Sequence, residues 1–377
     1  MHTKTEEKKV EYLELIYDLI FVYVIGRNNS LLHQITNGFV DSKVFMAYIL
    51  CTLTIIQIWN FSTYYINMHG RNKLRDHIFL FINMFLLYFI GEGTRTHWDN
   101  FLLEYHIAWG LILVNIGIQY FLELRNCKEC PEVYMQTKRM GLVLIAEALI
   151  VFSTYPVYQA TGFSVAPFAI LFGIVGSMFH GRNANVILVD FTHLSERAML
   201  YVVFTFGEMI IALANYFEGG LTVNSLYFSL MCFLIVVGLF LSYGTVYDHL
   251  IDRKQQNPGL VYMMIHIFII FALSLITTSL EFMHNTEVSL LPKILMLILS
   301  FLIYYISLFF TLRFSKTKCR PTFRFILTLA IAAASFIVVM LVFRENMYVN
   351  IALTAAYVWG IFLLLHHFSK VTALNKT

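Results

Sequence analysis

Charged residues are scarce in this chain of 377 residues, at 13% of the total against 59% hydrophobic residues. Soluble domains carry about 25% charged residues. A water-soluble chain of this composition could not cover its surface with polar groups, so the two soluble domains that the length would allow are excluded. The formal net charge of only +3 gives no indication of a nucleic-acid-binding surface, and no nucleic-acid partner is expected.

Cysteine is also sparse, and the five cysteines show no spacing typical of a disulfide framework. Cys127 and Cys130 form a single C-x-x-C pair without two further ligands nearby, so they are interpreted as ordinary thiols rather than a zinc site. H-E-x-x-H, G-x-S-x-G and phosphate-loop motifs are missing as well. No recognised motif points to an enzyme, and no cofactor is expected.

Long apolar segments, by contrast, make up most of the chain. A helix needs about 20 mostly apolar residues to cross ~30 Å of hydrocarbon. Twelve segments meet this requirement: 11–35, 43–69, 76–97, 99–124, 136–158, 163–182, 193–217, 222–250, 260–284, 290–314, 321–343 and 346–369. The two-residue alternation of a membrane barrel is missing. The sequence therefore predicts an all-α polytopic bundle of about 12 transmembrane helices, forming a single integral membrane domain over residues 1–377.

The basic residues support this map independently. If the amino terminus is cytoplasmic, all but five of the 26 Lys and Arg residues fall at cytoplasmic ends or loops. The exceptions are Arg27, Lys43, Arg95, Lys293 and Arg344. Such a bias is typical of inner loops. It predicts a multi-pass protein of the cell membrane with both termini in the cytoplasm, and the helix order also permits a parallel six-plus-six repeat of 11–182 and 193–369.

The first segment carries two acidic residues, Glu14 and Asp18, and lacks a small-residue cleavage site. It is therefore predicted to be a retained helix and not a signal peptide. The two carboxylates lie on one helix face, because residues four apart are neighbours. Inside a bundle such a pair needs a cation or a shared proton. The alternative is a solvated pair at the membrane interface, near the positive end of the helix dipole.

The seventh segment contains His193, Glu196 and Arg197 near the same depth as those acids. We predict that Arg197 pairs with Glu14 or Asp18 across helices 1 and 7, because an arginine fork can bridge two carboxylates. The alternative for Arg197 is to extend its side chain to the lipid headgroups.

Further ionisable residues lie deeper in the predicted spans. Glu208 follows Gly207 near the middle of helix 7, and Glu147 has a similar depth in helix 5. Ionisable groups at this depth usually mark ion or proton pathways, so both are candidate proton or cation sites. His266, in the cytoplasmic half of helix 9, is expected to line the entrance to the Glu208 site together with Arg197. The alternative for Glu208 is a protonated acid that hydrogen-bonds a neighbouring helix. Four polar residues of helix 2 are typical of hydrogen bonds between helices: Gln57, Trp59, Asn60 and Tyr64.

Three motifs resemble those of one known family, in the same order. Glu14-Leu-Ile-Tyr-Asp18-Leu-Ile-Phe-Val-Tyr is similar to the E-L-F-F-D-L-V-F-V-F opening of the bacterial low temperature requirement A (LtrA) family. His193-Leu-Ser-Glu196-Arg197-Ala-Met-Leu with Gly207-Glu208 resembles its H-F-x-E-R-x-G-L…G-E segment, and Tyr262-Met-Met-Ile-His266 resembles Y-x-Y-L-H. The resemblance covers most of the chain. It implies a bacterial cell-membrane protein required for growth at low temperature, and it supplies no reaction.

Three functions are consistent with these residues. The favoured one is a transporter of a small solute or ion, linked to protons through Glu14, Asp18, His193, Glu196, Arg197, Glu208, His266 and Glu147. The second is a non-catalytic membrane sensor or scaffold that acts through lipid or partner contacts. The third is a membrane-embedded metalloprotein or enzyme with His193, Glu196 and His266 as metal ligands. Membrane lipid and an unidentified solute or ion are the expected partners, and the sequence does not reveal the oligomeric state.

Overall fold

The computed structural model describes residues 8–94, 98–182 and 189–374. Within these residues it contains twelve α-helices. They are α1 (Tyr12–Asn29), α2 (Ser42–His69), α3 (Leu74–Thr94), α4 (Trp98–Glu123), α5 (Pro131–Thr161), α6 (Ala166–Arg182), α7 (Phe191–Ala212), α8 (Val223–Thr245), α9 (Leu260–His284), α10 (Leu290–Phe310), α11 (Phe323–Val342) and α12 (Met347–Leu374). Arg95, one of the five exceptions to the basic-residue pattern, lies outside the described residues.

Ten of the helical segments are long and apolar enough to cross a membrane, which confirms the predicted all-α polytopic bundle. The two remaining helices, α1 and α6, also match predicted spans. Helix α1 carries three charged residues, Glu14, Asp18 and Arg27, within its 18 residues. Helix α6 is short, with only 17 residues.

The chain between α1 and α2 differs from the predicted first span, which extended to residue 35. Helix α1 ends at Asn29 and is followed by a 3-10 turn, Ser30–His33. A two-residue antiparallel hairpin then pairs Ile35–Thr36 with Phe39–Val40. Its turn residues Asn37 and Gly38 have φ values of 53° and 84°. Asn-Gly is the preferred pair for a turn that needs two positive φ angles, so this local signal ends the span early.

Local signals also set several other helix ends. Pro131 occupies the first turn of α5, where its missing N–H costs nothing, and Gly162 ends that helix with φ of 71°. Thr222 caps α8 by accepting a hydrogen bond from the Ser225 N–H. Because it begins at Pro131 and ends before Gly162, α5 is longer than the predicted span 136–158 at both ends. It also includes Pro156.

The chain divides into two compact units. The first comprises Met1–His33, Ser42–Tyr201 and Arg253–Met263. Helix α2 is its enclosed element, because all residues from 54 to 67 are buried. Helices α1, α4 and α6 contact α2, while α3 packs on α1 and α4, and α5 packs on α4 and α6. Polar side chains on α2 therefore meet protein on every side and need partners inside the unit.

The second unit comprises Gln34–Asp41, Val202–Asp252 and Met264–Thr377. Helix α12 packs along α8 and also contacts α11, which in turn contacts α10. Helix α11 buries only Leu329, Phe336 and Met340, so most of its surface is open. Two of the boundaries between the units fall within helices, one in α7 and one in α9. The six-plus-six repeat with halves 11–182 and 193–369 stays a prediction.

Candidate functional site

A cluster of charged side chains lies in the interior of the first unit. Glu14 is 4% exposed, and Asp18 and Arg197 are 0% exposed. Arg197 Nε donates to Asp18 Oδ2 at 3.0 Å, Nη2 donates to Asp18 Oδ1, and Nη1 donates to Glu14 Oε2. The predicted pairing of α1 with α7 is confirmed, and it involves both acids. The two alternative predictions were a solvated pair of acids at the membrane interface and an Arg197 side chain extended to the lipid headgroups. Both are wrong, because all three side chains are buried.

Two aromatic side chains complete the surroundings of Asp18. Trp59 of α2 donates its indole N–H to Asp18 Oδ1 at 2.8 Å. Its ring packs against the ring of Tyr201 on α7, with 4.5 Å between the centroids. Asp18 thus accepts hydrogen bonds from both α2 and α7, which holds the three helices in register. Trp59 was expected to hydrogen-bond another helix, and its partner is this acid.

His193 continues the cluster along α7. Its Nε2 lies 3.4 Å from Glu14 Oε2, within ion-pair distance but without hydrogen-bond alignment. Its Nδ1 lies 2.9 Å from Asn67 Nδ2, and Asn67 also bonds the backbone of Asp190 in both directions. The Asp190 carboxylate accepts from the N–H groups of Thr192 and His193, which caps the start of α7.

Lys8 lies beside the cluster, just before α1. Its ammonium group donates to the carbonyl oxygens of Ile66 and Gly70, at the carboxyl end of α2, where the helix dipole favours a cation. Burial lowers the pKa of Lys8, while the nearby Glu14 carboxylate acts in the opposite direction. A cavity of about 160 Å³, lined in part by Lys8, Glu14 and Asp76, adjoins this group. Glu14 is therefore the member of the cluster next to open space.

Glu147 has a different environment, in the middle of α5. It is 0% exposed, and neither of its carboxylate oxygens makes a hydrogen bond within the described part of the chain. Its neighbours are Gln57 of α2 and Gly173 of α6, because a Cβ atom added to Gly173 would overlap Glu147 Oε2 and Gln57 Nε2. Gln57 Nε2 donates instead to the Ile170 carbonyl at 3.1 Å, and its Oε1 has no partner among the described residues.

The remaining predicted site residues are Glu196, Glu208 and His266. Glu196 is half-buried on α7. Glu208 is also half-buried, and the space around the adjacent Gly207 is open. His266 is buried and hydrogen-bonds the Tyr243 hydroxyl of α8 at 3.0 Å.

The metal-ligand hypothesis gains no support from this placement. Within residues 8–94, 98–182 and 189–374, no group of three His, Cys, Asp or Glu residues could hold a metal ion. His193 is occupied by Asn67 and Glu14, and His266 by Tyr243.

Sequence reasoning missed three residues that shape these sites: Lys8, Asp190 and Gly173. Asp190 could have been found, because an aspartate three residues before His193 is a typical helix cap. Lys8 and Gly173 carry no such local signal. Their roles depend on which carbonyl groups and side chains of other helices come close to them.

The comparisons with known proteins agree with the motifs. A family model described as "Bacterial low temperature requirement A protein (LtrA)" matches residues 9–359, nearly the whole chain. Neither a curated protein nor a solved structure matches the chain.

Proposed function

The chain belongs to the bacterial low temperature requirement A family, and we propose that it is a carrier in the cell membrane. It moves a small solute or ion across the bilayer, and a proton is linked to that movement. This activity supports growth at low temperature. Both termini lie in the cytoplasm, as the distribution of basic residues indicates.

The observation that carries the proposal is the buried carboxyl group of Glu147, which has the Gln57 amide as a polar neighbour and no cation beside it among the described residues. An ionised carboxylate buried without a partner is costly, by at least ~2.5–3 kcal/mol in the middle of a membrane helix. The group therefore holds a proton or a cation when the surrounding helices are packed as they are here. Glu147 differs in this from Glu14 and Asp18, whose carboxylates share the Arg197 guanidinium group as a fixed counter-ion. A buried acid without a fixed counter-ion can exchange what it binds, and a proton-linked carrier needs such a group.

The charge cluster has a positioning role in this proposal. Each nitrogen of the Arg197 guanidinium group donates to Asp18 or Glu14 and the side chain is buried, so it is not available to a substrate. The cluster fixes α1 and α7 against each other within the first unit. Glu14 lines the 160 Å³ cavity, so it is the member of the cluster that protons from water can reach.

Replacement of Glu147 by glutamine tests the carrier. The amide keeps the shape of the side chain and is neutral, so the variant is expected to fold and insert normally. Proteoliposomes containing a pH-sensitive dye are screened with a panel of small solutes and cations under an imposed pH gradient. For any compound that the wild-type protein carries, Glu147→Gln should reduce proton-coupled flux to the level of protein-free liposomes, because the exchangeable site is gone.

Two further measurements accompany this test. Glu287→Gln, which changes an exposed acid between α9 and α10, should transport at the wild-type rate. Infrared spectroscopy should detect a protonated carboxyl group in the wild-type protein that Glu147→Gln lacks, whatever the substrate. A Glu147→Gln variant with wild-type flux and unchanged pH dependence would show that this acid is structural.

The proposed orientation has its own test, by cysteine labelling in a cysteine-free background. A membrane-impermeant thiol reagent added outside intact cells should label cysteines placed at Ala160 and Thr286, and not those at Lys73 and Lys318. All four positions are exposed. The cysteine is placed at Lys73 and not at the neighbouring Asn72, because the φ of 52° at Asn72 is a conformation that a cysteine adopts only with strain. Labelling of Lys73→Cys and Lys318→Cys from outside would reverse the orientation.

A further inference from the structure

A basic segment joins α10 to α11 in the second unit. It contains Arg313, Lys316, Lys318, Arg320 and, in the first turn of α11, Arg324. The sequence has no acidic residue from Val288 to Arg344, so nothing within this stretch can neutralise these charges. Arg313 and Arg320 are exposed, and neither forms an ion pair with a carboxylate in the described parts of the chain. The guanidinium group of Arg313 lies over the Phe314 ring, 5.7 Å from its centroid.

An apolar groove begins at these two arginines. It is a cavity of about 700 Å³ between α10 and α11, and Tyr357 of α12 contributes to its wall. This volume lies within the range of roughly 300–1,000 Å³ that is typical of small-molecule sites. Apart from the two arginines its lining is almost entirely aliphatic and aromatic, with Phe309 and Leu302 on the α10 side. Ala330 and Ala333 on the α11 side leave the groove open.

The length of the groove matches one leaflet of a bilayer. One wall extends from Leu302 in α10 to Arg313 in the 3-10 turn that follows this helix, and the α11 wall extends from Phe325 to Ala333. At 1.5 Å of rise per residue these walls are roughly 12–16 Å long. Half of a ~30 Å hydrocarbon core is about 15 Å. A molecule that filled the groove would therefore have an anionic group at one end and an apolar chain reaching towards the centre of the membrane.

We propose that this groove is a binding site for an anionic glycerophospholipid. One acyl chain lies between α10 and α11, and the phosphate accepts hydrogen bonds from Arg313 and Arg320. Planar guanidinium groups are well suited to phosphate oxygens. Basic pockets between membrane helices are known to recognise anionic headgroups on the cytoplasmic side, and the positive-inside pattern assigns this loop to that side. The site shares no residue with the surroundings of Glu147 and does not depend on the carrier function.

The test measures lipid retained by the purified full-length protein with native mass spectrometry. The protein is incubated with phosphatidylglycerol or phosphatidylcholine of identical acyl chains. The wild-type protein should retain phosphatidylglycerol in preference to phosphatidylcholine. Arg313→Gln with Arg320→Gln should lower the retained phosphatidylglycerol at least tenfold, because both phosphate contacts are lost. Ala330→Phe with Ala333→Phe should cause a similar loss while all the charges remain, because the larger rings fill the groove.

The matched control is Lys138→Gln with Arg139→Gln, which removes two exposed charges from α5 on the same predicted side. This variant should retain phosphatidylglycerol as the wild-type protein does. Equal retention of the two lipids by all variants would mean that the protein retains only the lipid that surrounds any membrane protein, and it would overturn the proposal. So would displacement of the phospholipid by inorganic phosphate at comparable concentration, since a free anion would then account for the site without the groove.

Discussion

Replacement of Arg197 by methionine is expected to remove most of the stable protein. Methionine fills a similar volume, but it leaves Glu14 and Asp18 as two buried carboxylates without the guanidinium group that bridges them. Removal of one partner from a buried ion pair typically costs about 3–5 kcal/mol, and here one cation serves two acids. Fluorescence-detected size-exclusion chromatography after heating should show a much lower midpoint temperature and a smaller monodisperse fraction. Arg197→Lys should be intermediate, because a lysine cannot bridge both carboxylates with a planar fork.

Compensating substitutions separate charge from packing in this cluster. The triple variant Glu14→Gln, Asp18→Asn, Arg197→Met removes all three charges and should recover a large part of the lost stability, because a buried ion cluster is often close to neutral against uncharged residues. Arg139→Met, at an exposed position of α5, is the control and should behave as the wild-type protein. If the single variant Arg197→Met were as stable as the wild-type protein, the cluster would not hold α1 and α7 together.

Replacement of Gly173 by leucine is expected to disrupt the surroundings of Glu147. The first atom of any side chain at this position would already overlap the Glu147 carboxylate and the Gln57 amide. The end of the Glu147 side chain can move, but the enclosing helices leave little space for the rest of the leucine. Overpacking of a core typically costs about 1–3 kcal/mol. The thermal midpoint should fall, and the infrared signal of the protonated Glu147 carboxyl group should shift or vanish.

A double substitution tests whether this effect passes through Glu147. Glu147→Ala removes the side chain that the leucine would meet, so Glu147→Ala with Gly173→Leu should be more stable than the sum of the single effects predicts. Such coupling between contacting residues typically amounts to about 0.5–3 kcal/mol. Gly360→Leu provides the control, since no atom lies within 4 Å of a Cβ at that helical position. Purely additive effects would place Gly173 and Glu147 in separate environments.

Asp18 and Glu147, two of the buried acids of the first unit, illustrate different uses of charge in an apolar interior. Asp18 accepts hydrogen bonds from Trp59 and Arg197, so its charge is compensated by groups that packing holds in place. Glu147 has only an amide nearby, and that amide donates to a backbone carbonyl. The first arrangement stabilises one conformation. The second arrangement leaves a carboxyl group that can exchange the proton or cation it holds. Glu147 is therefore the better candidate for the site that binds the transported or coupling ion.

Much of this could be predicted from the order of residues alone. The long apolar runs determine the twelve helices, because a backbone in hydrocarbon must satisfy its hydrogen bonds locally. The pairing of Arg197 with Glu14 and Asp18 was predictable as well. Two acids one turn apart on one helix need a cation, and the loop pattern places Arg197 at their depth. The early end of α1 could have been read from Asn37-Gly38, a local turn signal that the hydrophobic pattern outweighed.

Only the tertiary structure decided which polar groups find partners and which do not. In the sequence Glu147, Glu208 and His266 look alike, as single ionisable residues in apolar helices. Packing gives His266 a tyrosine hydroxyl, leaves Glu208 half-buried, and encloses Glu147 without a hydrogen bond among the described residues. The physical reason is that such contacts join helices far apart in the chain, as Gln57, Glu147 and Gly173 do. Helical periodicity determines which residues share a face, but the rotation of each helix against its neighbours determines what that face meets.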